Sequence, residues 1–196
     1  MKKNQELFKI KESKTNLPIN PIFKKRFSPR FFSKEEVKEE DLKIIFEAVR
    51  FTASSYNRQP WFFYLAKKGT KSFAKLASLL MEGNLWAKEA AILILACYIN
   101  EDEYGKNSYA QYDLGQAVAT LVYQAQDLGY FSHQMAGFDK EKAKELVKDK
   151  NHIPWVMIAL GRLGDYEKAS QDLIKRDFKK VERKTDIFLI LNDDTI

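Results

Sequence analysis

Apolar residues recur along the chain at helical spacing in three stretches. Between residues 39 and 52 they lie three or four positions apart, which predicts an amphipathic helix. A broader apolar stripe predicts a largely buried helix over residues 108–129. A shorter helix is predicted near residues 70–82, followed by a loop that contains Gly83 and Asn84.

Four apolar runs predict β-strands. The run from Ala90 to Ile99 is apolar at consecutive positions, which is typical of a strand buried on both faces of a sheet. Because strands alternate with helices along the chain, the pattern favours a layered α/β or α+β architecture. The predicted strands cover residues 61–66, 91–99, 131–136 and 154–161.

Both ends of the chain are more polar than its centre. Residues 1–30 are basic and contain three prolines, so we expect an arm with at most one early helix. Near the other end, a charged stretch precedes a last apolar segment, Ile187 to Leu191. Between the two ends the sequence has no repeat, low-complexity tract or Gly/Ser linker, so it predicts no internal domain boundary.

The composition excludes several classes of protein. The 196 residues are 45% hydrophobic and include 14 Phe, 9 Tyr and 3 Trp, too many apolar side chains for a disordered chain. No apolar run reaches the roughly 20 residues that a membrane-spanning helix needs. The N-terminus lacks the apolar core of a secretory signal, and the single cysteine cannot form an internal disulfide. We therefore expect a cytoplasmic protein.

The charge of the chain allows three interpretations. Lys and Arg number 33 against 27 Asp and Glu, a net charge of +6. A basic surface could bind nucleic acid, but the basic residues are interleaved with acidic ones, which is more typical of solvent-exposed helix faces. In the third interpretation, a few of the cations surround a ligand that carries a phosphate.

The common catalytic side-chain sets are missing from the sequence. It has neither a GxGxxG segment nor a Walker lysine loop. His133 and His152 have no partners at metal-ligand spacing, so we predict no metal site and a structural or solvent-facing role for both. Cys97 lies in an apolar run, where a reactive thiolate is disfavoured. If the protein is an enzyme, we expect it to take its chemistry from a cofactor.

The segment from residue 26 to residue 30 is a candidate phosphate site. In extended backbone, alternate side chains point to the same side. Arg26, Ser28 and Arg30 would then present two cations and a hydroxyl together, a set suited to phosphate. An ordinary basic arm is the alternative interpretation.

Two further segments carry candidate binding groups. Residues 53–61 join a predicted helix to a strand, and their small residues would allow the backbone to approach a flat ligand. In that segment Asn57 and Gln59 offer donor and acceptor groups suited to a heterocycle. Residues 133–139 end a strand and enter a helix, and Gly137 there permits close backbone contact.

In this order and spacing, the three segments resemble the nitroreductase family of FMN-dependent oxidoreductases. The family's Arg-x-Ser-x-Arg/Lys segment is matched at residues 26–30. Its Ser-Ser-x-Asn-x-Gln-Pro-Trp signature is matched at every fixed position by residues 54–61, and its Gly-Phe-Asp step by residues 137–139. The resemblance covers about residues 22–183. Two departures are Ala53, where the family commonly has proline, and the lack of a family Pro or Glu within residues 134–136.

For the fold, the resemblance implies an α+β, three-layer α/β/α nitroreductase-like structure. A mostly antiparallel central sheet would be flanked by helices, and two chains would form an intertwined homodimer with FMN at the interface. The implied regions are an N-terminal arm at 1–21, the FMN-binding domain at 22–183, and a C-terminal segment at 184–196. We expect Ile187 to Leu191 in that segment to add as a strand to the sheet of the other subunit.

For the site, the resemblance implies roles in FMN binding for each matched segment. The first segment, together with two basic residues near the C-terminus, would hold the phosphate. The second segment would approach the same flavin from the partner subunit, and the third would line the flavin near N5. An asparagine in the Gly-Asn turn would bond the pyrimidine edge. The implied FMN-binding residues are Arg26, Ser28, Arg30, Ala53, Ser54, Ser55, Asn57, Gln59, Asn84, Gln134, Met135, Ala136, Gly137, Lys175 and Arg176.

For the reaction, the resemblance implies a ping-pong cycle with no catalytic side chain and no metal. NADH or NADPH would give a hydride to flavin N5, and a nitroaromatic, a quinone or a similar small acceptor would then take the electrons. One alternative is a flavin-binding relative with dehalogenase-like or flavin-fragmenting chemistry. The other is a basic nucleic-acid-binding module, which explains only the charge.

Overall fold

The computed structural model of the chain describes residues 2–190. Seven α-helices lie in this part of the chain: α1 (Lys2–Lys11), α2 (Pro21–Lys25), α3 (Glu39–Arg50), α4 (Lys71–Ala77), α5 (Ala110–Asp127), α6 (Lys140–Leu146) and α7 (Gln171–Asp177). Six strands accompany them: β1 (Trp61–Lys67), β2 (Ile92–Ile99), β3 (Glu101–Asp102), β4 (Gly105–Lys106), β5 (Phe131–Met135) and β6 (His152–Gly161). Three 3₁₀ segments cover Ser55–Asn57, Glu82–Glu89 and Tyr166–Lys168.

The central sheet has the strand order β1-β2-β6-β5, and every pair is antiparallel. Its four strands are those predicted from the apolar runs. Strand β2 pairs with β6 in a register that places Ile94 opposite Ile158, with an irregularity between Ala96 and Cys97. The short strands β3 and β4 form a separate hairpin. β1 and β5 are therefore the two edges of the sheet.

Both faces of the sheet are covered, which produces the expected three layers. The consecutive apolar residues of β2 alternate between the faces, as a strand requires. Ile92 and Ile94 join a core formed with α3 and α5. Leu93 and Leu95 join a second core that includes α4, α6 and the N-terminal helix. The predicted α+β fold with a mostly antiparallel sheet is confirmed.

Helix α5 is the long buried helix that the apolar stripe predicts. Its stripe of Leu114, Leu121 and other small or branched residues is buried against the sheet. The helix ends at Asp127, and Gly129 adopts a φ of 76° just beyond it. Such a left-handed conformation favours glycine and closes the helix end.

The predictions for residues 70–84 are wrong at two points. The predicted helix near residues 70–82 ends at Ala77, and Gly83 and Asn84 lie in a 3₁₀ segment rather than a loop. The reason is a tertiary contact that periodicity cannot show. Leu80 forms a bridge with Phe138, which pulls the backbone away from the helix axis.

The N-terminal region contains two helices, α1 and α2, where at most one was expected. Helix α1 packs on the domain because Leu7 is 0% exposed within the core. Asn4 anchors the same helix: its Nδ2 donates to the Gly164 carbonyl at 2.9 Å and its Oδ1 accepts from the Tyr166 N–H at 2.8 Å. A polar helix with one deeply buried residue gives little periodic signal, which is why the pattern missed it.

The C-terminal segment runs without regular structure from residue 178 to residue 190. Ile187 and Phe188 are exposed in the single chain, and Leu191 lies outside the described residues. Exchange of this segment with a partner subunit therefore stays a prediction. Among residues 2–190, no helix is both long enough and apolar enough to cross a membrane.

Candidate functional site

The segment Arg26 to Arg30 alternates between the core and the surface as extended backbone should. Phe27 and Pro29 are buried, and the Phe27 ring packs 5.1 Å from that of Phe131 on β5. Ser28 lies beside Arg26, whose Nη1 donates to its hydroxyl at 3.3 Å. The predicted pairing of a cation with a hydroxyl is therefore present.

Arg30 makes a further contact that the sequence did not suggest. Its Nη1 donates to Asp177 Oδ1 at 2.6 Å, and its backbone N–H donates to Asp177 Oδ2 at 2.8 Å. The Tyr166 hydroxyl also donates to this carboxylate, and Asp177 is 1% exposed. Asp177 and Tyr166 were missed because Asp177 lies 147 positions from Arg30, within a charged stretch that looks like a solvated helix face.

His133 joins strand β5 to the first segment. Its Nδ1 lies 3.0 Å from the Pro29 carbonyl oxygen, and because a carbonyl only accepts, Nδ1 carries the proton. The imidazole also lies 4.6 Å from the Trp86 ring. Burial, the largest cause, lowers the pKa of His133 to about 4, so the ring is neutral near pH 7. His133 is thus a largely buried, hydrogen-bonded residue that connects β5 to the segment at residues 26–30.

Asn84 and Gly137 are also brought together. Asn84 Nδ2 donates to the Gly137 carbonyl at 2.9 Å, and the same carbonyl accepts from the Met81 N–H at 3.2 Å. A Cβ added at Gly137 would lie 2.7 Å from Asn84 Nδ2, so only glycine fits without movement. Arg176 on α7 reaches the same turn, where its Nη2 donates to the Gly83 carbonyl at 3.1 Å.

These contacts form one continuous group on the β5 side of the sheet, which we call the β5 cluster. It consists of Arg26, Ser28, Arg30, Asn84, Trp86, His133, Gly137, Arg176 and Asp177. Gln134 and Ala136 are exposed next to it, and Lys175 is exposed beside Arg176. Met135 is buried in the core, so its side chain cannot line an open site and only its backbone could contribute.

The segment from Ala53 to Gln59 does not join the β5 cluster within one chain. It precedes β1, whereas Gly137 follows β5, and these strands are opposite edges of the sheet. Three strand spacings separate the two edges, a distance of about 14 Å. The predicted partners from this segment, Ser54, Ser55, Asn57 and Gln59, therefore lie at a separate place on the chain.

Three residues of this loop have positive φ values, and two side chains accept hydrogen bonds from the loop backbone. Tyr56, Asn57 and Gln59 have φ values of 52°, 55° and 47°, in the left-handed region that few non-glycine residues adopt. Ser54 Oγ accepts from the Gln59 N–H at 3.0 Å. The buried Asp113 carboxylate accepts from the Ser55 N–H at 3.1 Å. The loop is thus held in one conformation with small side chains and backbone groups at its surface.

Arg58 ties the same loop to the β3–β4 hairpin. Its Nε donates to Asp102 Oδ2 at 2.7 Å, and its Nη2 donates to the other oxygen and to the Gly105 carbonyl. Aromatic rings stand exposed nearby, and Tyr56 is 94% exposed. Large exposed apolar side chains of this kind are candidates for contact with another protein. We call Phe51, Tyr56, Tyr104, Tyr109 and Tyr112 the aromatic surface.

The described residues offer neither a metal centre nor a reactive cysteine. No group of three or more His, Cys, Asp or Glu side chains within residues 2–190 is arranged to hold a metal ion. Cys97 is buried, and burial raises the pKa of its thiol to about 12. Its predicted role as a core residue is confirmed.

The comparisons with known proteins agree with this fold. The model of the nitroreductase family matches residues 23–85, which contain the first two segments and Asn84. A solved oxidoreductase containing FMN is 30% identical with a TM-score of 0.82, and the match covers 90% of this chain and 93% of that one. A solved nitroreductase family protein from Clostridium novyi NT is 25% identical with a TM-score of 0.65, over 77% of this chain and 88% of that one.

A sequence relative from Mycolicibacterium smegmatis is known as an uncharacterized 15.4 kDa protein in the ask 5' region. It is 36% identical over 118 residues, which make up 60% of this chain and 80% of that protein. The sheet, its two helical layers and these matches define a nitroreductase fold. The chain belongs to the nitroreductase family, as its motifs suggested.

Proposed function

We propose that this chain is an FMN-dependent oxidoreductase that takes electrons from NADH or NADPH and passes them to a nitroaromatic, a quinone or a similar small acceptor. The observation that carries the proposal is the β5 cluster, which places guanidinium groups and a fixed amide around a single region. The solved oxidoreductase of the same fold, 30% identical, contains FMN. Membership of the same family supports the same ligand for this chain.

The phosphate of FMN fits the cationic end of the β5 cluster. A dianionic phosphate is best held by charge-assisted hydrogen bonds from guanidinium groups, with hydroxyls in support. Arg26, Arg30 and Arg176 supply the guanidinium groups, and Ser28 supplies the hydroxyl. Within residues 2–190, Arg26 has no carboxylate partner within 4.0 Å, so its charge is left for an anion.

The flat ring system of FMN fits the other end of the β5 cluster. The bond from Asn84 Nδ2 to the Gly137 carbonyl fixes the amide of Asn84. Its Oδ1 is then left to accept from the N–H of a pyrimidine edge. The backbone N–H of Gly137 would donate toward N5, because the exposed Ala136 and the absent side chain of Gly137 leave the backbone accessible.

FMN, when bound, would supply the hydride acceptor that the described side chains of this chain do not offer. The chain itself would hold the phosphate through its arginines, orient the ring through Asn84, and present the exposed face to one small molecule at a time. NADH or NADPH and the electron acceptor would occupy that face in turn. This ordering is the basis of the proposed ping-pong kinetics.

We also propose that the active form is a homodimer in which the loop at residues 53–59 completes the site of the partner. Two observations support this. The loop precedes β1 and the β5 cluster lies by β5, and these edge strands are three strand spacings apart, about 14 Å. Tyr56 of the aromatic surface lies in the loop itself and is 94% exposed. A partner subunit would cover the exposed rings.

The cofactor and the reaction can be tested on the purified full-length chain. We expect bound flavin absorbance, release of FMN rather than FAD on denaturation, and anaerobic loss of the flavin colour on adding NADH or NADPH. Addition of a quinone should restore the colour, and initial rates should give parallel lines in double-reciprocal plots. A protein that neither contains FMN nor binds it after reconstitution would contradict the proposal. Flavin that NADH and NADPH both fail to reduce would point to a non-reductase relative.

A further inference from the structure

The carboxylate of Asp177 is a buried charge that the proposed function leaves without a role. It is 1% exposed, and it accepts hydrogen bonds from the Arg30 backbone, the Arg30 guanidinium and the Tyr166 hydroxyl. Burying a carboxylate is costly, and an apolar replacement of a buried ion pair is often as stable or more stable. The buried ion pair of Arg30 and Asp177, next to other cations, therefore suggests a role other than stabilising the fold.

The geometry at Arg30 leaves part of its guanidinium available. Asp177 takes the backbone N–H and one terminal nitrogen of Arg30. Nε and Nη2 make no hydrogen bond within residues 2–190, and the side chain of Arg30 is 27% exposed. A guanidinium held at one nitrogen can present its other N–H groups to a second anion in a fixed direction.

Other cations balance the negative charge of Asp177. Lys11 on α1 donates its Nζ to the Lys179 carbonyl at 2.7 Å, which brings α1 to the end of α7. Burial is the main cause that lowers the pKa of Lys11. Attraction by Asp177 raises this pKa and repulsion by Arg30 lowers it, so Asp177 and Arg30 are both close enough to interact with Lys11. The carboxylate thus stands among positive groups and does not present an unbalanced charge to an incoming phosphate.

Apart from the Arg30 N–H, which donates to Asp177, the backbone on both sides of Arg30 is held by bonds that do not involve Asp177. The Ser33 N–H donates to the Arg162 carbonyl at 2.9 Å, and the Gly164 N–H donates to the Phe31 carbonyl at 3.0 Å. His133 holds Pro29 from the other side. Loss of the Asp177 charge should therefore release the Arg30 side chain without unfolding the segment.

We propose that Asp177 is a positioning residue for phosphate binding, whose buried carboxylate aims the free edge of the Arg30 guanidinium at the phosphate of FMN. This inference rests on the proposed function. The positioning role and a purely electrostatic role predict opposite changes in FMN affinity when Asp177 is removed. If Asp177 acted only as a nearby negative charge, its removal would tighten FMN binding. If it positions Arg30, its removal weakens FMN binding.

The test compares FMN with riboflavin, which has the same ring system and no phosphate. Full-length apoprotein is titrated with each ligand, and the quenching of flavin fluorescence gives the dissociation constant. For Asp177→Asn we expect FMN binding to weaken about tenfold, as for the loss of one charge-assisted bond, and riboflavin binding to stay unchanged. Asp127→Asn, which removes an exposed carboxylate at the far end of α5, is the matched control and should change neither constant.

If circular dichroism shows that Asp177→Asn does not fold, a second variant tests the same proposal. Tyr166→Phe keeps the ring and the Asp177 charge but removes one hydrogen bond to the carboxylate. It should weaken FMN binding about threefold, again without changing riboflavin binding. In an Arg30→Ala background, Asp177→Asn should have no further effect on FMN, because the group that it positions is gone.

The outcomes separate this inference from the proposed function. Unchanged or tighter FMN binding in Asp177→Asn overturns the positioning role while the FMN assignment stands. Equal weakening for FMN and riboflavin also overturns it, since a merely structural role would affect both ligands. Wild-type protein that binds neither ligand overturns the proposed function, and the inference with it.

Discussion

At the scale of the residue, Arg26 is the cation of the β5 cluster that is free of carboxylate partners in the described part of the chain. Arg26→Ala should weaken FMN binding about ten- to a hundredfold, because a hydrogen bond to a charged group contributes about 1.5–3 kcal/mol. Ser28→Ala should cost less, about 0.5–1.5 kcal/mol, since its hydroxyl is neutral. Fluorescence titration of the apoprotein measures both. Equal affinity in wild type and Arg26→Ala would leave residues 26–30 as an ordinary basic segment.

The contact between Gly137 and Asn84 gives a second residue-scale prediction. Gly137→Ala should push Asn84 out of place and break its hydrogen bond, with a loss of about 1 kcal/mol of stability and a several-fold weaker FMN affinity. Gly83→Ala is the matched control, because a Cβ there would meet no atom within 4 Å. Chemical denaturation and FMN titration of both variants test this. Similar results for the two glycines would contradict it.

The depressed pKa of His133 predicts a dependence of stability on pH. As pH falls from about 6.5 toward about 4, the unfolded chain takes up a proton that the folded chain refuses. The free energy of unfolding should therefore fall over this window, by at most about 3.5 kcal/mol at about 1.4 kcal/mol per pKa unit.

Substitution of His133 separates this titration from other acid effects. His133→Asn keeps a donor for the Pro29 carbonyl but cannot take up the proton, so its melting temperature should fall less than that of the wild type between pH 7 and pH 4.5. Comparison at pH 7.5 isolates the lost contact with Trp86, because the wild-type ring is neutral there in both states. Parallel curves for the two proteins would count against this account.

The residues of the site differ in how far sequence could predict them. Arg26 and Ser28 were predictable together because extended backbone alternates its side chains over a short range. Asn84 and Gly137 were suggested separately by the resemblance, and only the fold brings them into contact. Asp177 had no local signal, since its significance depends on a partner 147 positions away.

At the scale of the element, helix α1 stands out because it lies before the part of the chain that the family model matches. Leu7→Ala should destabilise the protein by about 2–5 kcal/mol, as expected for a fully buried leucine. Glu6→Ala, on the exposed side of the helix, should change stability by less than about 0.5 kcal/mol. Urea denaturation compares the two variants. An unchanged midpoint in Leu7→Ala would mean that α1 is only loosely attached.

Helices and strands were predicted well where buried apolar residues recur at regular spacing. They were predicted poorly where a single tertiary contact determines where the element begins or ends. The four strands and helices α3 and α5 have apolar positions at regular spacing, which reflects their place between the layers. The Ser33–Glu36 pattern resembles a capping box, yet α3 begins at Glu39. The Ser33 hydroxyl instead accepts from the Glu35 N–H at 3.2 Å, because Ser33 is paired with Arg162 in extended backbone.

At the scale of the whole molecule, the aromatic surface predicts association of two chains. Light scattering at micromolar concentration should give twice the 22.9 kDa of one chain. Tyr56→Glu should shift the equilibrium toward monomer, since it places a charge where rings would be covered, and it should lower FMN affinity in the same protein. A stable wild-type monomer that binds FMN fully would contradict the shared site. Arg26→Ala, by contrast, should lose FMN and remain dimeric.

The bond between Arg30 and Asp177 also bears on how the protein is made. The ribosome delivers Arg30 early, and its carboxylate follows roughly 7–30 s later at translation rates of 5–20 residues per second, given their separation of 147 positions. During that interval the strands of the sheet can assemble, but the cationic end of the β5 cluster has no carboxylate to aim it. A nascent chain that stops before α7 therefore lacks the carboxylate beside Arg30, and we expect it to bind FMN less tightly than a chain that includes α7.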